Sequence, residues 1–400
     1  MNHHQHIENI GKKMEFSVSC PGKVILHGEH AVVYGRTAVA GSISKLRTHV
    51  SVVVSPGAPQ SLCVQLPDLV PFKQYSWSAS DLSYLVKDFN FEDKRKEVSS
   101  ELLSRLLSAH SEEDRGIVSL LFLYFTILHP PGSKKKGFLP PMGIQLRLSS
   151  SIPIGAGLGS SAAYNVSLSA AFHLLKAKLS RKNNGLFWYY KKSFNALELE
   201  SICQSAFLGE CFMHGNASGI DNSICTYGGL LSFKTGAALP FNLQSKLRIL
   251  LVDTKVSRNT KALVGTVREK IALLPKVTAS LLEAMERVSL ESLDNLKKID
   301  LSEDKFKIYR KLEELISINH ELLCAFGVSH PSLNKIVDAA NAMGISAKMT
   351  GAGGGGFALV LLTPFSDNER IERLKEELHS SGFECWESEV GGEGVIIESS

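Results

Sequence analysis

The chain has 400 residues, 44% of them apolar, 21% charged and 8% aromatic, proportions that exclude a disordered, collagen-like or disulfide-scaffold protein. Lys and Arg number 44 against 40 Asp and Glu, a formal net charge of +4, without the concentrated basic excess of a nucleic-acid binder. The longest apolar run, Val118 to Leu128, contains Ser119 and Thr126 and falls short of the roughly 20 residues that span a bilayer.

Residues 1–13 hold His3, His4 and His6 but no apolar signal core, and read as a flexible tail. From Met14, Phe16, Val18 and Cys20 alternate with Ser17 and Ser19, the period of a half-buried strand. Short apolar runs broken by Pro21-Gly22, Gly28, Gly35 and Gly41 continue as strands and turns to about residue 55. Residues 81–130 read as mostly helical, and His129 to Pro141, with Lys134-Lys135-Lys136, as a solvated loop. Ile144, Leu146 and Leu148 mark a strand over 143–149, followed by helices over 162–175 and 195–213 and strand character over 222–233. A strand at 247–252, amphipathic helices to about 326, a helix between Pro331 and Gly344, a strand at 357–362, a helix at 366–379 and final strands complete the chain. Strands and helices mix without strict βαβ alternation, which predicts an α+β fold in two lobes, 14–240 and 241–400, behind the tail at 1–13. No internal repeat is present. Seven cysteines without a C-x-x-C pair fit a reduced, cytoplasmic protein.

Four segments carry the candidate chemistry. The run from Pro153 to Ala163 lies between a predicted strand and helix, with Gly155, Gly157 and Gly159 spaced by Ala156 and Leu158. Glycines let backbone N–H groups approach a ligand closely, and a helix start adds free donors and the positive end of its dipole, so phosphate is favoured there. Ser160 and Ser161 stand where hydroxyls cap a helix or meet a metal-bound phosphate. Thr350 to Gly356 satisfies G-x-G-x-x-G, yet a strand follows it, so the context of a dinucleotide fold is missing. Pro21 to Gly35 sets Lys23, Glu29 and His30 among apolar residues and turn glycines; by composition alone they read as a solvated Lys and a structural His. Leu199, Cys203, Ala206 and Glu210 share one helical stripe, so Glu210 needs a cation, either a Lys or Arg or a metal. Asp221, in HGNASGIDNS, reads either as a turn residue or as a working acid.

Taken in order, Pro21–Gly35, Pro153–Ala163 and Lys348–Phe357 resemble the three motifs of the GHMP small-molecule kinases, a family that includes galactokinase, homoserine kinase, mevalonate kinase and phosphomevalonate kinase. Within it, PGKVILHGEHAVVYG and HGNASGIDNS look most like the animal mevalonate kinases; the triple-Lys loop, Phe357 and Asp68 (at what looks like an Asn position) depart from that pattern. The resemblance implies a two-lobed α+β fold with its site in the cleft. It also implies ATP- and magnesium-dependent transfer of the γ-phosphoryl group to a hydroxyl, the C5 alcohol of (R)-mevalonate in the mevalonate kinases. Carried over, it makes Asp221 and Lys23 catalytic. It sets Lys23, Ser150, Gly155, Ala156, Gly157, Leu158, Gly159, Ser160 and Ser161 around ATP, and Ser161 and Glu210 on Mg2+. Glu29, His30, Asp221 and Thr260 would meet mevalonate, and the Gly351–Gly356 loop would support the site from the second lobe.

A homodimer, feedback by prenyl diphosphates at the ATP site, and no nucleic-acid or membrane partner complete what the resemblance implies. Lys23-Val24 with His30-Ala31 has the spacing of a peroxisomal address, though a folded catalytic strand is a poor place to read one. Two alternatives stand beside this: another GHMP kinase such as phosphomevalonate kinase, and a catalytically silent sensor with the same fold. The joint presence of Lys23, Ser161, Glu210 and Asp221 speaks against the sensor.

Overall fold

A computed structural model describes residues 13–56, 58–85, 115–128, 142–153, 155–179, 192–214, 219–234, 237–241 and 243–398. The first strand, β1 (Met14–His27), buries Phe16, Val18 and Cys20 as their alternation requires. Ser19 is also buried, because the Arg47 guanidinium covers it and donates to its hydroxyl at 2.9 Å. β1 pairs along most of its length with β2 (Ala38–Pro56), and a register shift interrupts the ladder between Pro21 and Gly22.

Further strands are β3 (Ser61–Leu66), β4 (Lys73–Ser78), β5 (Met142–Ser150), β6 (Leu230–Lys234), β7 (Ala237–Phe241), β8 (Leu247–Asp253), β9 (Ala347–Met349), β10 (Phe357–Leu362), β11 (Glu384–Val390) and β12 (Ile396–Glu398). They join one sheet in the order β4-β3-β5-β2-β11-β8-β10-β9, with β1 bonded to β2 and β12, and β6 to β2 and β7. Every pairing is antiparallel except β3 with β5. The two halves meet in the sheet where β11 pairs with β2 at Val390 and Ile43, and where β1 pairs with β12 at Ser17 to Ser19.

The helices explain the apolar runs. α1 (Ala79–Leu85) is short, whereas α2 (Arg115–Leu128) is buried nearly all round, as expected for a helix without a polar face. It packs against α3 (Ser160–Leu179) and α4 (Ala196–His214), where Tyr124 and Phe172 meet edge-on at 5.7 Å. The second half carries α6 (Thr260–Leu273), α7 (Pro275–Lys298), α8 (Lys305–Phe326), α9 (Pro331–Ala342) and α10 (Asn368–Ser380). β10 is buried on both faces: Phe357, Leu359 and Leu361 join the core of the first half, and Ala358, Val360 and Leu362 join the core beneath α8, α9 and α10. Its unbroken FALVLL run therefore needs no polar alternation. No helix among the described residues is long and apolar enough to cross a membrane, and all seven cysteines are free thiols.

One element differs from the sequence expectation. Residues 222–233 are not a continuous strand: α5 (Ile220–Tyr227) occupies the first half of that stretch and β6 begins only at Leu230. Ile220, Ile224 and Cys225 fall on one buried face at helical spacing, with Gly219 in the left-handed region before the helix and Gly228 closing it. The expected helix over 81–130 is seen at both of its ends, in α1 and α2; residues 86–114 and the triple-Lys segment lie outside the described residues, as does the tail.

Candidate active site

β5 delivers the chain into the glycine loop and α3 carries it away. Gly155, Gly157 and Gly159 all adopt left-handed φ values of 73–74°, so the loop winds tightly ahead of the helix start at Ser160. The loop is fastened to β1: the Lys23 backbone N–H donates to the Leu158 carbonyl at 2.8 Å. That approach explains the Pro21-Gly22 irregularity, because a Cβ at Gly22 would lie 2.8 Å from the Leu158 oxygen. The Lys23 side chain consequently emerges beside the glycine loop.

Lys23 Nζ lies 3.2 Å from Asp221 Oδ1, with the Lys side chain 7% exposed and the Asp side chain 36% exposed. Asp221 sits in the first turn of α5, where the buried Ile220 and Asn222 fix the helix and leave the carboxylate facing the cavity. It is a helical residue, not a turn residue.

Glu210 approaches the same loop from α4. Its carboxylate accepts from Ser161 Oγ at 2.7 Å and from Asn165 Nδ2 at 3.0 Å, while Asn165 Oδ1 accepts from Ser119 Oγ at 2.6 Å. The stripe containing Leu199, Cys203 and Ala206 does turn Glu210 inward, as its helical spacing predicts. Buried neighbours therefore hold a carboxylate and a hydroxyl side by side at the foot of the glycine loop.

Sequence reasoning missed Arg258. It stands just before Asn259, whose side chain caps α6 by accepting from Ala262 N at 3.0 Å. The guanidinium lies between both glycine-rich loops: a Cβ at Gly157 would overlap it, and one at Gly351 would come within 2.8 Å of Nη1. Burial lowers its pKa while the Asp221 charge raises it, and among the described residues Nη1 is buried without a hydrogen-bond partner. An unanswered buried donor beside a loop of amides calls for an anion. The only sequence signal was a basic residue ahead of a helix cap; its neighbours lie some hundred residues away on either side.

The second glycine loop reaches the site through His30. This residue is held at φ 59°, and its Nε2–H donates to the Ala352 carbonyl at 2.9 Å. Thr350 Oγ1 donates to the Ile25 carbonyl at 2.9 Å and completes the seam. Glu29 also lines the cavity, but its carboxylate is engaged by Lys348 and by Asn319 Nδ2, the latter at 3.0 Å. Thr260, at the start of α6, and Ser150, at the end of β5, line the cavity too. The predicted site residues thus converge on one cavity of about 1300 Å3, with Ala156 and Leu158 turned into the core beneath the loop.

His27 lies behind this seam. Burial first, and then the Lys348 charge, pull its pKa down to about 3, and the same causes bring His320 to about 4. Both rings are neutral in the folded protein and bind protons when unfolded near their ordinary 6.5, so stability is complete above that value and is lost as pH falls toward 3. The expected slope reaches about 1.4 kcal/mol per pH unit for each group fully protonated only when unfolded. Urea midpoints measured from pH 7 down to pH 4 check this, and a flat profile would refute it.

The model of the GHMP kinase N-terminal domain matches residues 132–229, and that of the GHMP kinase C-terminal domain matches residues 305–384. Mevalonate kinase of Mus musculus is 38% identical over 390 residues, covering 96% of this chain and 95% of the relative. The chain belongs to the GHMP kinases, in the mevalonate kinase group. Mevalonate kinase of Homo sapiens agrees, at 36% identity over 394 residues, 96% of this chain and 94% of that one. The crystal structure of L. major mevalonate kinase in complex with R-mevalonate shares the fold, with a TM-score of 0.66 at 22% identity over 96% of this chain and 98% of that one. As a GHMP kinase, this is an enzyme that uses ATP, with the mixed α+β architecture of its family.

Proposed function

We propose that this GHMP kinase transfers the γ-phosphoryl group of ATP to the C5 hydroxyl of (R)-mevalonate, giving 5-phosphomevalonate and ADP. The observation that carries the proposal is the Lys23–Asp221 pair, 3.2 Å apart and facing the same cavity as the Gly155–Ser161 loop. Relatives at 35–38% identity over nearly the whole chain are mevalonate kinases, which supports the choice of alcohol.

The loop amides and the start of α3 would hold the triphosphate, with Ser150 at its nucleoside side. Arg258 and Lys23 neutralise charge that spreads over the transferring oxygens. Such transfer depends on in-line positioning and electrostatics more than on a strong base. The alcohol oxygen forms the new bond to phosphorus as the bridging bond to ADP breaks, and Asp221 takes the hydroxyl proton. His30 and Thr260 would shape the alcohol pocket, with Glu29 behind it.

The donor set at Ser161 and Glu210 fits a hard divalent cation such as Mg2+. It offers two oxygens, and among the described residues no cluster of three His, Cys, Asp or Glu side chains forms a complete metal cage, so phosphate and water would supply the remaining ligands. When bound, Mg2+ supplies neutralisation of phosphate charge. Glu210→Gln should then raise the Mg2+ and ATP concentrations needed for half-maximal rate; an unaltered Mg2+ titration would assign Glu210 to structure alone. The same loop supports feedback by prenyl diphosphates competing with ATP, and we extend the proposal to a cytoplasmic homodimer.

The deciding experiment offers mevalonate, galactose, homoserine and phosphomevalonate with ATP and follows ADP release. Turnover with mevalonate alone is expected; a preference for phosphomevalonate would replace the proposed substrate.

A further inference from the structure

Between β1 and β2 the chain makes a closed turn, Gly28 to Thr37, that carries part of the cavity wall. Its ends touch: Gly28 has φ 90°, and a Cβ there would lie 2.4 Å from the Thr37 carbonyl oxygen. Inside the turn, Val32 N–H donates to the Gly28 carbonyl at 3.1 Å and Arg36 N–H to the Ala31 carbonyl at 3.2 Å. Glu29, His30 and Val33 line the cavity from this turn. His30 is its strained member, and a non-glycine residue at φ 59° persists only where its surroundings fix it. The bond from its ring to Ala352 supplies one hold.

The other hold comes from α7, in the second half of the chain. Glu286 is 5% exposed, and its carboxylate accepts from the backbone N–H of Thr37 and, at 3.1 Å, from the Thr37 hydroxyl. Lys234 Nζ, at the end of β6, donates to the same carboxylate at 2.7 Å from a side chain that is 54% exposed. Glu283, three residues earlier on α7, accepts from Arg36 Nη1 at 3.2 Å. Burial pushes the Glu286 pKa up, and the bonds from Lys234 and Thr37 more than reverse that, so the group stays ionised. An apolar side chain would fill this place without the cost of desolvating a charge. What the carboxylate adds is direction, because its bonds to Thr37 fix where the turn ends.

We propose that Glu286 is a positioning residue for the phosphoryl acceptor, holding the Gly28–Thr37 turn so that His30 keeps its place in the cavity wall. This rests on the reading above that His30 shapes the alcohol pocket. Without the hold, the turn spends part of its time in other arrangements, and the acceptor binds only the competent fraction. Its apparent affinity falls by that fraction, while transfer from the bound state is unaltered. The Gly155–Ser161 loop is fastened to Lys23 rather than to this turn, so ATP binding is spared.

The test measures kcat and the KM values for mevalonate and ATP in the native enzyme, Glu286→Ala, Glu286→Gln and Lys234→Met. Glu286→Ala should raise KM for mevalonate about tenfold, the scale of a hydrogen bond to a charged group, and leave kcat and KM for ATP nearly unchanged. Glu286→Gln keeps an acceptor for Thr37 without the charge and should recover most of that loss. Lys234→Met removes the exposed partner and should leave KM for mevalonate within about twofold, even where it lowers Tm. An unchanged KM for mevalonate in Glu286→Ala overturns the proposal. So does an equal rise in KM for ATP, or an equal rise for mevalonate in Lys234→Met, since either marks general loosening of the fold. Should Glu286→Ala not fold, Thr37→Val decides: it deletes only the hydroxyl bond and should raise KM for mevalonate but not for ATP, and no such rise overturns the proposal. A native enzyme that does not phosphorylate mevalonate sinks the proposed function instead, so the two failures are distinguishable.

Discussion

Asp221→Ala should lower kcat by roughly 10²–10⁴-fold, the usual cost of losing a positioned acid–base group, while ATP binding survives. The side chain is about one-third exposed and its ion-pair partner is Lys23, so truncation opens no large cavity in the core. It also removes a negative charge from beside Lys23 and Arg258, both of which face the cavity. Nucleotide phosphates should then bind as well as before or better, because two cations lose a competing carboxylate. Calorimetry with ATP and coupled ADP release separate the two effects. Turnover within tenfold of the native enzyme would take Asp221 out of the chemistry; loss of ATP binding together with turnover would assign it to building the site.

Local chemistry made half of this site readable in the sequence. The Gly155–Ser161 loop was visible because its glycines stand between a period-2 strand and a helix of small residues, and both elements form where expected. Glu210 was visible because helical spacing alone turned it inward. The helix bearing Asp221 is not legible as one, because residues 222–233 read as strand while Gly228 in fact closes α5 ahead of β6. Arg258 and Lys348 stayed hidden for a different reason. Neither sits in a patterned neighbourhood that marks its partner: Arg258 meets Gly157 and Gly351, and Lys348 meets Glu29, only once the sheet has brought β1, β8 and β9 together. Residues that act through tertiary contact leave no periodic trace along the chain.

Lys348→Met should destabilise the fold by about 3–5 kcal/mol, the cost of leaving one buried charge without its partner. Both side chains of the Lys348–Glu29 pair are 0% exposed, so bulk solvent does not screen the carboxylate that remains. Burial lowers the Lys348 pKa and the adjacent Glu29 raises it, which keeps the two charges interdependent. Asn319 is the other donor to the Glu29 carboxylate, and a neutral amide cannot balance a full charge. Replacing both partners, as Glu29→Leu with Lys348→Met, should recover much of the loss, because an apolar pair needs no counter-charge. Denaturant unfolding of the two single variants and the double variant measures this. If the double variant is no more stable than Lys348→Met alone, unpaired charge is not the cause.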